Sequence, residues 1–481
     1  MMSHPQHSNK VVFKGANFLP LFIACTVGAC IGFAPSPVGV EPKAWQLLAI
    51  FSALIVGLIG KALPMGAISF LALTTLIVTQ TLTLKEALSG FSHPIIWLVV
   101  AAFLISKSFI KTKLGMRLAY LLVAFLGKKT LGLGYGVAFT ELILAPAIPS
   151  NTARAGGIIF PIVRALAVSF GSSPERHSQR LIGSYLTLTA YYCNLITSTM
   201  FITAMAANPL IVAVLLNHQI PITWGQWALA ASLPGVLSLI SVPYLVHKLY
   251  PPEIKETPEA KDLAIKNLQQ MGPMSKYEWI TLVVFFLLIV LWICGESYLS
   301  IDSTTVAFLG VCILLLTGVL TWEDIKREHE AWDTLIWFST LVMIATYLNN
   351  FGLIGWMSSH LRAMMANTSW YLAWPMLVLS YFYSHYLFAS NTAHVSSMYA
   401  AFLTVGLHLH IPPYLIALSL AFSSSLFACL THYGTGSAPI LFGSEYVNLK
   451  TWWQMGFIMS FIFLTIWIGI GSLWWKILHL W

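Results

Sequence analysis

The chain has 481 residues, 58% of them hydrophobic and only 9% charged, and its mean hydropathy is +0.78. A soluble domain carries roughly 25% charged residues, so a soluble protein is excluded and lipid is the expected solvent for most of the surface. The formal net charge of +8, from 25 Lys+Arg against 17 Asp+Glu, reads as the positive-inside bias of a membrane protein, with no nucleic acid implied.

Apolar runs follow one another along the chain. Lys10 and Lys14 precede the first, Phe18 to Phe33, which lacks a clear small-residue cleavage site and is read as a retained span. Trp45 to Leu63, Ile68 to Leu82 and Ile95 to Ile110 come next; Trp279 to Cys294, Val306 to Leu320, Trp370 to Phe388 and Gly456 to Leu478 occupy the second half. A span needs about 20 mostly apolar residues, and roughly ten to twelve such segments are expected. The polar stretch Pro251 to Tyr277 holds Lys255, Lys261, Lys266 and Lys276 and reads, with the N-terminus, as cytoplasmic. Six cysteines (Cys25, Cys30, Cys193, Cys294, Cys312 and Cys429) lie in or beside apolar segments without a CxxC pair, so packing is their expected role and neither a disulfide framework nor a metal site is expected.

The two halves are related. Ser150-Asn151-Thr152-Ala153 recurs as Ser390-Asn391-Thr392-Ala393, an offset of 240. At that offset Ile96-Trp97 matches Ile336-Trp337, Gly115 matches Gly355, and Thr197 falls opposite Ser437. Residues 1–250 are read as a first repeat, 251–277 as a cytoplasmic linker and 278–481 as a second repeat. If each repeat holds an odd number of spans, the second crosses in the opposite direction, the plan of many secondary transporters.

Each Ser-Asn-Thr copy interrupts an apolar context. Pro146 and Pro149 break the first helix, Ser, Asn and Thr suit the cap of the one that restarts, and Gly156 and Gly157 allow close backbone approach. The expectation is a re-entrant helical hairpin near 141–157 and a second, from the other face, near 381–397. Helix N-termini offer free N–H groups and partial positive charge to carboxylates, so two facing tips can hold the two ends of one dicarboxylate. A second polar break follows each tip: Asn194 to Thr199 in the first half and Thr431 to Pro439 in the second. Arg154 and His394 are equivalent in the repeat, and charge inside a membrane marks function by default. Arg154 could instead pair with Glu141, and His394 could bond across a helix interface; Glu141, His385 and His432 are weaker candidates, read as structural. No phosphate-binding glycine loop or HExxH is present, which argues against ATP-driven pumping and zinc proteolysis.

At these residues the sequence resembles the divalent anion:sodium symporter family. Ser-Asn-Thr-Ala-Arg154 and Leu430-Thr431-His432-Tyr433-Gly434 look like the bacterial citrate:succinate and tartrate:succinate exchangers and the plastid 2-oxoglutarate/malate translocators. The resemblance implies an all-α polytopic membrane protein with two inverted-topology repeats, each holding a re-entrant hairpin and an unwound transmembrane helix. It further implies a homodimer in the cell inner membrane, with elevator movement of the site and no cofactor. Ser150, Asn151, Thr152, Ser390, Asn391 and Thr392 carry over as substrate-binding residues, and Ser198, Thr199, Gly436 and Ser437 as the unwound part of the site. The chain departs from sodium-coupled members just after each Ser-Asn-Thr, where Arg154 and His394 are expected to replace bound cations as fixed positive charge. That would oppose crossing of an empty site and make transport an exchange of C4–C5 dicarboxylates (malate, succinate, fumarate or 2-oxoglutarate, with citrate or tartrate as further options). The alternatives are Na⁺- or H⁺-coupled symport, a passive anion channel and an intramembrane hydrolase.

Overall fold

The structure is a computed structural model that describes residues 15–295, 299–353, 355–356 and 369–481; Lys10 and Lys14 lie outside them. Among the described residues the chain is helical, with one isolated β-bridge, Lys129 to Glu256. Among the described residues eight helices are long and apolar enough to cross a membrane, and six shorter apolar helices accompany them. The ends of the apolar runs fall close to expectation: the first helix is Phe18–Phe33, Lys276–Cys294 covers the run at 279, and Ser303–Leu316 starts before the run at 306 and stops four residues short of Leu320. Many large apolar side chains point outward, among them Phe18, Phe125, Phe286 and Leu316. Such a surface is stable only against hydrocarbon, and the chain is a multi-pass membrane protein.

The first hairpin descends through Thr130–Leu144, turns at 145–150, and returns through Asn151–Arg154, a π-helical turn Ala155–Ile159 and Phe160–Ser169. The second repeats this at an offset of 240: Trp370–Tyr383 leads in, then Asn391–His394, a π-helical turn Val395–Tyr399 and Ala400–His408 lead out. The repeated π-turn matters physically. A π-turn widens the helix and frees backbone groups, so both returning arms carry the same local distortion one turn beyond the tip.

Hydrogen bonds fix the two directions. Thr130 N–H donates to the Lys255 carbonyl (3.0 Å), and beyond the returning arm the N–H groups of Glu253 and Ile254 donate to the carbonyls of Arg180 and Leu181. Both ends of the first hairpin therefore sit at the 251–257 segment. Trp224–Leu249 is 26 residues, about 39 Å at 1.5 Å per residue, and carries the chain from Pro221 to that segment. The second hairpin opens at the far end: Tyr414 Oη donates to the Pro221 carbonyl (2.7 Å), and His218 Nε2 meets Thr404 Oγ1 of the returning arm (3.2 Å). The hairpins thus enter from opposite faces.

The 251–277 segment contains a helix, Pro258–Met271, that begins on a proline and ends at Gly272 with φ +70°. Ala260 and Ala264, one turn apart, are its buried face against Leu114–Leu126. Arg117 of that partner helix donates to the Gly272 carbonyl (2.9 Å) and pairs with Glu278, both side chains being less than a tenth exposed. Thr257 Oγ1 closes the other end on the Gly127 carbonyl (2.8 Å). Residues that read as a polar connection form a brace between the halves.

Candidate functional site

The first tip is built locally. Pro146 and Pro149 deny the helix its next donors, and Ser150 Oγ accepts the Ala153 N–H (3.1 Å), an N-cap bond. Asn151, now in the first turn, is buried and sends its Nδ2 to Thr435 Oγ1 (2.8 Å) in the break of the other half. Thr152 lies against Gly436, where an added Cβ would overlap Thr152 Oγ1; only glycine permits that approach. The second tip mirrors this. Ser390 Oγ accepts the Ala393 N–H (3.4 Å), and Asn391 Nδ2 points to Met205 Sδ (3.3 Å) in the break of the first half. Each tip therefore docks on the unwound segment of the opposite repeat.

The breaks differ from expectation in the first half. Asn194 to Thr199 is helical, inside Gly183–Met200, and the chain unwinds afterwards, at Phe201 to Ala206, with Phe201 extended (φ −133°, ψ 142°). The cause is tertiary: Trp227 Nε1 donates to the Thr199 carbonyl (2.9 Å), and Asn208 Nδ2 donates to the carbonyls of Ser198 (2.7 Å) and Phe201 (2.8 Å). These side chains replace the amides a continuing helix would supply. In the second half the break is at Thr431 to Gly436, between Phe427–Leu430 and Ser437–Phe442. Thr197 and Ser437 are consequently not equivalent, the former preceding its break and the latter following it. Residues 170–182 join hairpin to helix in the first half, but only 409–412 do so in the second, and the register slips there.

Of the residues singled out from sequence, Ser150, Asn151, Thr152, Gly436 and Ser437 meet at the first tip, with Gly436 exposed and Ser437 buried. Ser390 and Asn391 form the second tip, with Thr392 half-buried in its first turn. Ser198 is turned inward onto Arg154 (Nη2 to Oγ, 2.7 Å), and Thr199 Oγ1 bonds back to the Leu195 carbonyl (3.1 Å). Among the described residues, buried polar atoms without a hydrogen-bond partner at the site include Asn391 Oδ1, Thr431 Oγ1 and Ser437 Oγ, with Asn194 Oδ1 and Asn208 Oδ1 beside the first break. Buried polar atoms are normally paired, so an open set beside two capped tips suits a polar ligand. Asn208 and Met205 are not apparent from the sequence, and Thr435 is apparent only as part of the Thr431 to Pro439 break. Asn208-Pro209, a capping-type residue before a proline in an apolar run, was the signal available for one of them.

Arg154 is fully buried and bonded all round. Nε donates to Glu141 Oε2 (3.0 Å), Nη1 to the carbonyls of Ile148 (2.5 Å) and Ala204 (2.7 Å), and Nη2 to Ser198 Oγ. Glu141 also accepts from Asn194 Nδ2 (2.9 Å) and Thr197 Oγ1 (3.2 Å). The salt bridge is thus present, and the guanidinium is ringed by oxygens from the hairpin and the break. His394 is equally buried, with Nδ1 3.0 Å from His385 Nδ1 and Nε2 3.1 Å from Ser384 Oγ. His432 Nδ1 accepts from Trp453 Nε1 (3.2 Å). Beside the first returning arm a cavity of about 800 Å³, lined by Arg164, Arg176, Ile440 and Tyr446 among others, opens next to the helix that carries Ser437.

Comparison with known proteins fits this architecture. The family described as sodium:sulfate symporter transmembrane region matches residues 15–481. The protein named "Putative malate transporter YflS" of Bacillus subtilis is 53% identical over 97% of this chain and 98% of its own length. Dicarboxylate transporter 1, chloroplastic, of Spinacia oleracea is 47% identical over 98% of this chain and 83% of its own length. Inner membrane protein YbhI of Escherichia coli is 37% identical over 96% of this chain and 98% of its own length. The crystal structure of the Alcanivorax borkumensis YdaH transporter superposes with a TM-score of 0.55 at 14% identity, covering 95% of this chain and 96% of that one, a likeness of fold alone. The chain belongs to the sodium:sulfate symporter family of membrane transporters, the divalent anion:sodium symporters.

Proposed function

We propose that this transporter exchanges small dicarboxylates across the cell inner membrane without a co-transported cation. The observation that carries this is the paired arrangement of capped tips, entering from opposite faces and each seated on the other repeat's break. Two helix N-termini with hydroxyl and amide donors suit a molecule with a carboxylate at each end. Relatives named for malate and for dicarboxylates, at 53% and 47% identity, support that substrate class. Ser150, Asn151, Thr152, Gly436 and Ser437 would hold one carboxylate, and Ser390, Asn391 and Thr392 the other. Ser198 and Thr199 lead into the first break, Ser198 through its bond to Arg154, and complete that side of the site.

Arg154 acts as a built-in cation. Its four oxygen partners form the kind of donor set that would hold a monovalent metal ion, and the guanidinium fills it. His394 is its counterpart at the second tip. Uncompensated positive charge at the second tip opposes return of an empty site, so uptake of one dianion requires release of another. Movement of the hairpins as an elevator and assembly as a homodimer belong to the same reading. The test is uptake of labelled succinate, malate and 2-oxoglutarate into preloaded or empty proteoliposomes, with and without Na⁺. Exchange predicts uptake only into preloaded vesicles, indifferent to Na⁺. Uptake into empty vesicles that follows a Na⁺ or H⁺ gradient would mean symport. Flux without counter-substrate that is linear in driving force would mean a channel, and product formation in detergent a hydrolase.

A further inference from the structure

The second tip carries a chain of polar contacts that the reading above does not use. His385 lies at the end of the arm leading in, and its Nε2 is 3.0 Å from the carbonyl of Gly434 in the break. Its Nδ1 meets His394 Nδ1, and His394 Nε2 meets Ser384 Oγ, which also bonds the Tyr381 carbonyl (2.8 Å).

Counting protons along this chain gives a definite result. A carbonyl only accepts, so His385 Nε2 carries a hydrogen. One hydrogen must lie between the two Nδ1 atoms. Ser384 has a single hydroxyl hydrogen. If it goes to the Tyr381 carbonyl, His394 Nε2 must donate to Ser384. The two rings then hold three protons, one more than a neutral pair, and the unit is a monocation. If Ser384 turns its hydrogen to His394 Nε2, the pair is neutral. The same heavy-atom positions serve both states, which differ by one proton exchanged with water and one rotation of the Ser384 hydroxyl.

Burial disfavours charge on the pair until an anion is near, and aromatic faces lessen that cost. The His394 ring lies between Phe388 (centroids 4.5 Å apart, 7° between planes) and Phe427 (4.5 Å, 27°). Aromatic faces attract a cation, more so when it is desolvated. The titratable groups on the packed elements are Tyr371, Tyr381, Tyr383, Tyr386, Tyr399, Tyr414 and Cys429, together with Lys43, which is exposed in the first turn of Pro42–Ile59. Tyr381 and Tyr399 bond to Ser424 Oγ and to the Ala417 carbonyl. Among the described residues no carboxylate bonds or pairs with either histidine. The Arg154–Glu141 pair at the other tip sums to zero, so the variable charge of the site is that of the two histidines.

We propose that His385 and His394 form one proton site, filled by a single proton from water, and that His385 is the positioning residue that sets the charge His394 presents to the substrate. This rests on the reading of the second tip as half of a dicarboxylate site. A dianion favours the protonated pair, so binding draws a proton where the free pair is neutral. The test is calorimetric titration of the purified wild-type protein with succinate, at neutral to alkaline pH, in buffers of different ionisation enthalpy. The expected result is uptake of up to one proton per succinate bound, with affinity falling by up to tenfold per pH unit as the free pair deprotonates. His385→Phe and, independently, Ser384→Ala should flatten that pH profile while still binding succinate. Succinate binding with no proton uptake at any pH, or a wild-type pH profile in both variants, overturns the proton site. Failure of the wild-type protein to bind any dicarboxylate is a different result, which sinks the substrate reading and the proton site with it.

Discussion

Replacing Arg154 by alanine removes a guanidinium that donates to four oxygens and leaves Glu141 buried with only Asn194 Nδ2 and Thr197 Oγ1 as donors. Removing one partner of a buried ion pair costs about 3–5 kcal/mol, because the remaining charge stays in a medium that solvates it poorly. Arg154→Ala should therefore lower the melting temperature of the purified transporter and abolish dicarboxylate exchange. Arg154→Met with Glu141→Gln removes both charges and should lose less stability than Arg154→Ala alone. The ring of oxygens also makes a sharper forecast. If the guanidinium stands in for a metal cation, the alanine variant should be stabilised by NaCl and not by choline chloride, while the wild type responds equally to both. A ligand at a hundred times its dissociation constant adds about 2.7 kcal/mol, enough to see in a melt. Exchange by Arg154→Ala at the wild-type rate would refute a role for Arg154 in shaping the first tip, and a melt indifferent to Na⁺ would refute the built-in cation.

Three further outcomes follow from the geometry. Gly436→Ala should abolish uptake, since the new methyl overlaps Thr152 Oγ1; adding Thr152→Ala removes that atom and should recover folding, read by monodisperse elution, and unchanged behaviour of the double variant would discount the clash. Asn391→Ala should weaken succinate binding about tenfold or more, the scale of one hydrogen bond to a charged group; unchanged affinity in calorimetry would mean that this tip only caps a helix. Arg117→Ala should cost about 3–5 kcal/mol by stranding Glu278, seen as a lower melting temperature, and an unshifted melt would show that the brace between the halves carries no load.

The tips were legible in the sequence because everything that makes them is local. At the first tip two prolines and a capping hydroxyl specify a turn and a restart, and the copy at an offset of 240 keeps the Ser-Asn-Thr-Ala cap, with Tyr386 and Ala389 in place of the prolines. The first break was not legible because its cause is distant in sequence. Hydroxyl-rich Asn194 to Thr199 looked like an interruption, yet those side chains bond to Glu141, to Arg154 or back to their own helix. The helix ends where Trp227 and Asn208 take over its carbonyls, 28 and 10 residues away. The brace at 258–271 was written in the chain, with Pro258 at its start, alanines four apart and Gly272 at its end, but polar composition concealed it. The roles of Arg154 and Glu141 were open for a related reason: sequence shows that a cation and an anion are near, and only the fold shows that they touch.

That contact changes what the charges can do. An arginine neutralised by Glu141 adds no net charge to the moving site, so it cannot by itself hold back an empty carrier. It shapes the first tip and takes the place of a cation, as a neutral pair. The remaining candidate for a charge that distinguishes loaded from empty is the histidine pair at the second tip. Exchange and proton coupling then become two limits of one device. If the pair keeps its proton throughout, an empty site stays cationic and return requires a substrate. If the proton leaves with the substrate, the empty site is neutral and can return alone, carrying out proton symport. The ratio of exchange to net uptake in wild-type proteoliposomes should therefore fall as pH rises, and a ratio constant across pH would place the barrier to empty return in packing and not in charge.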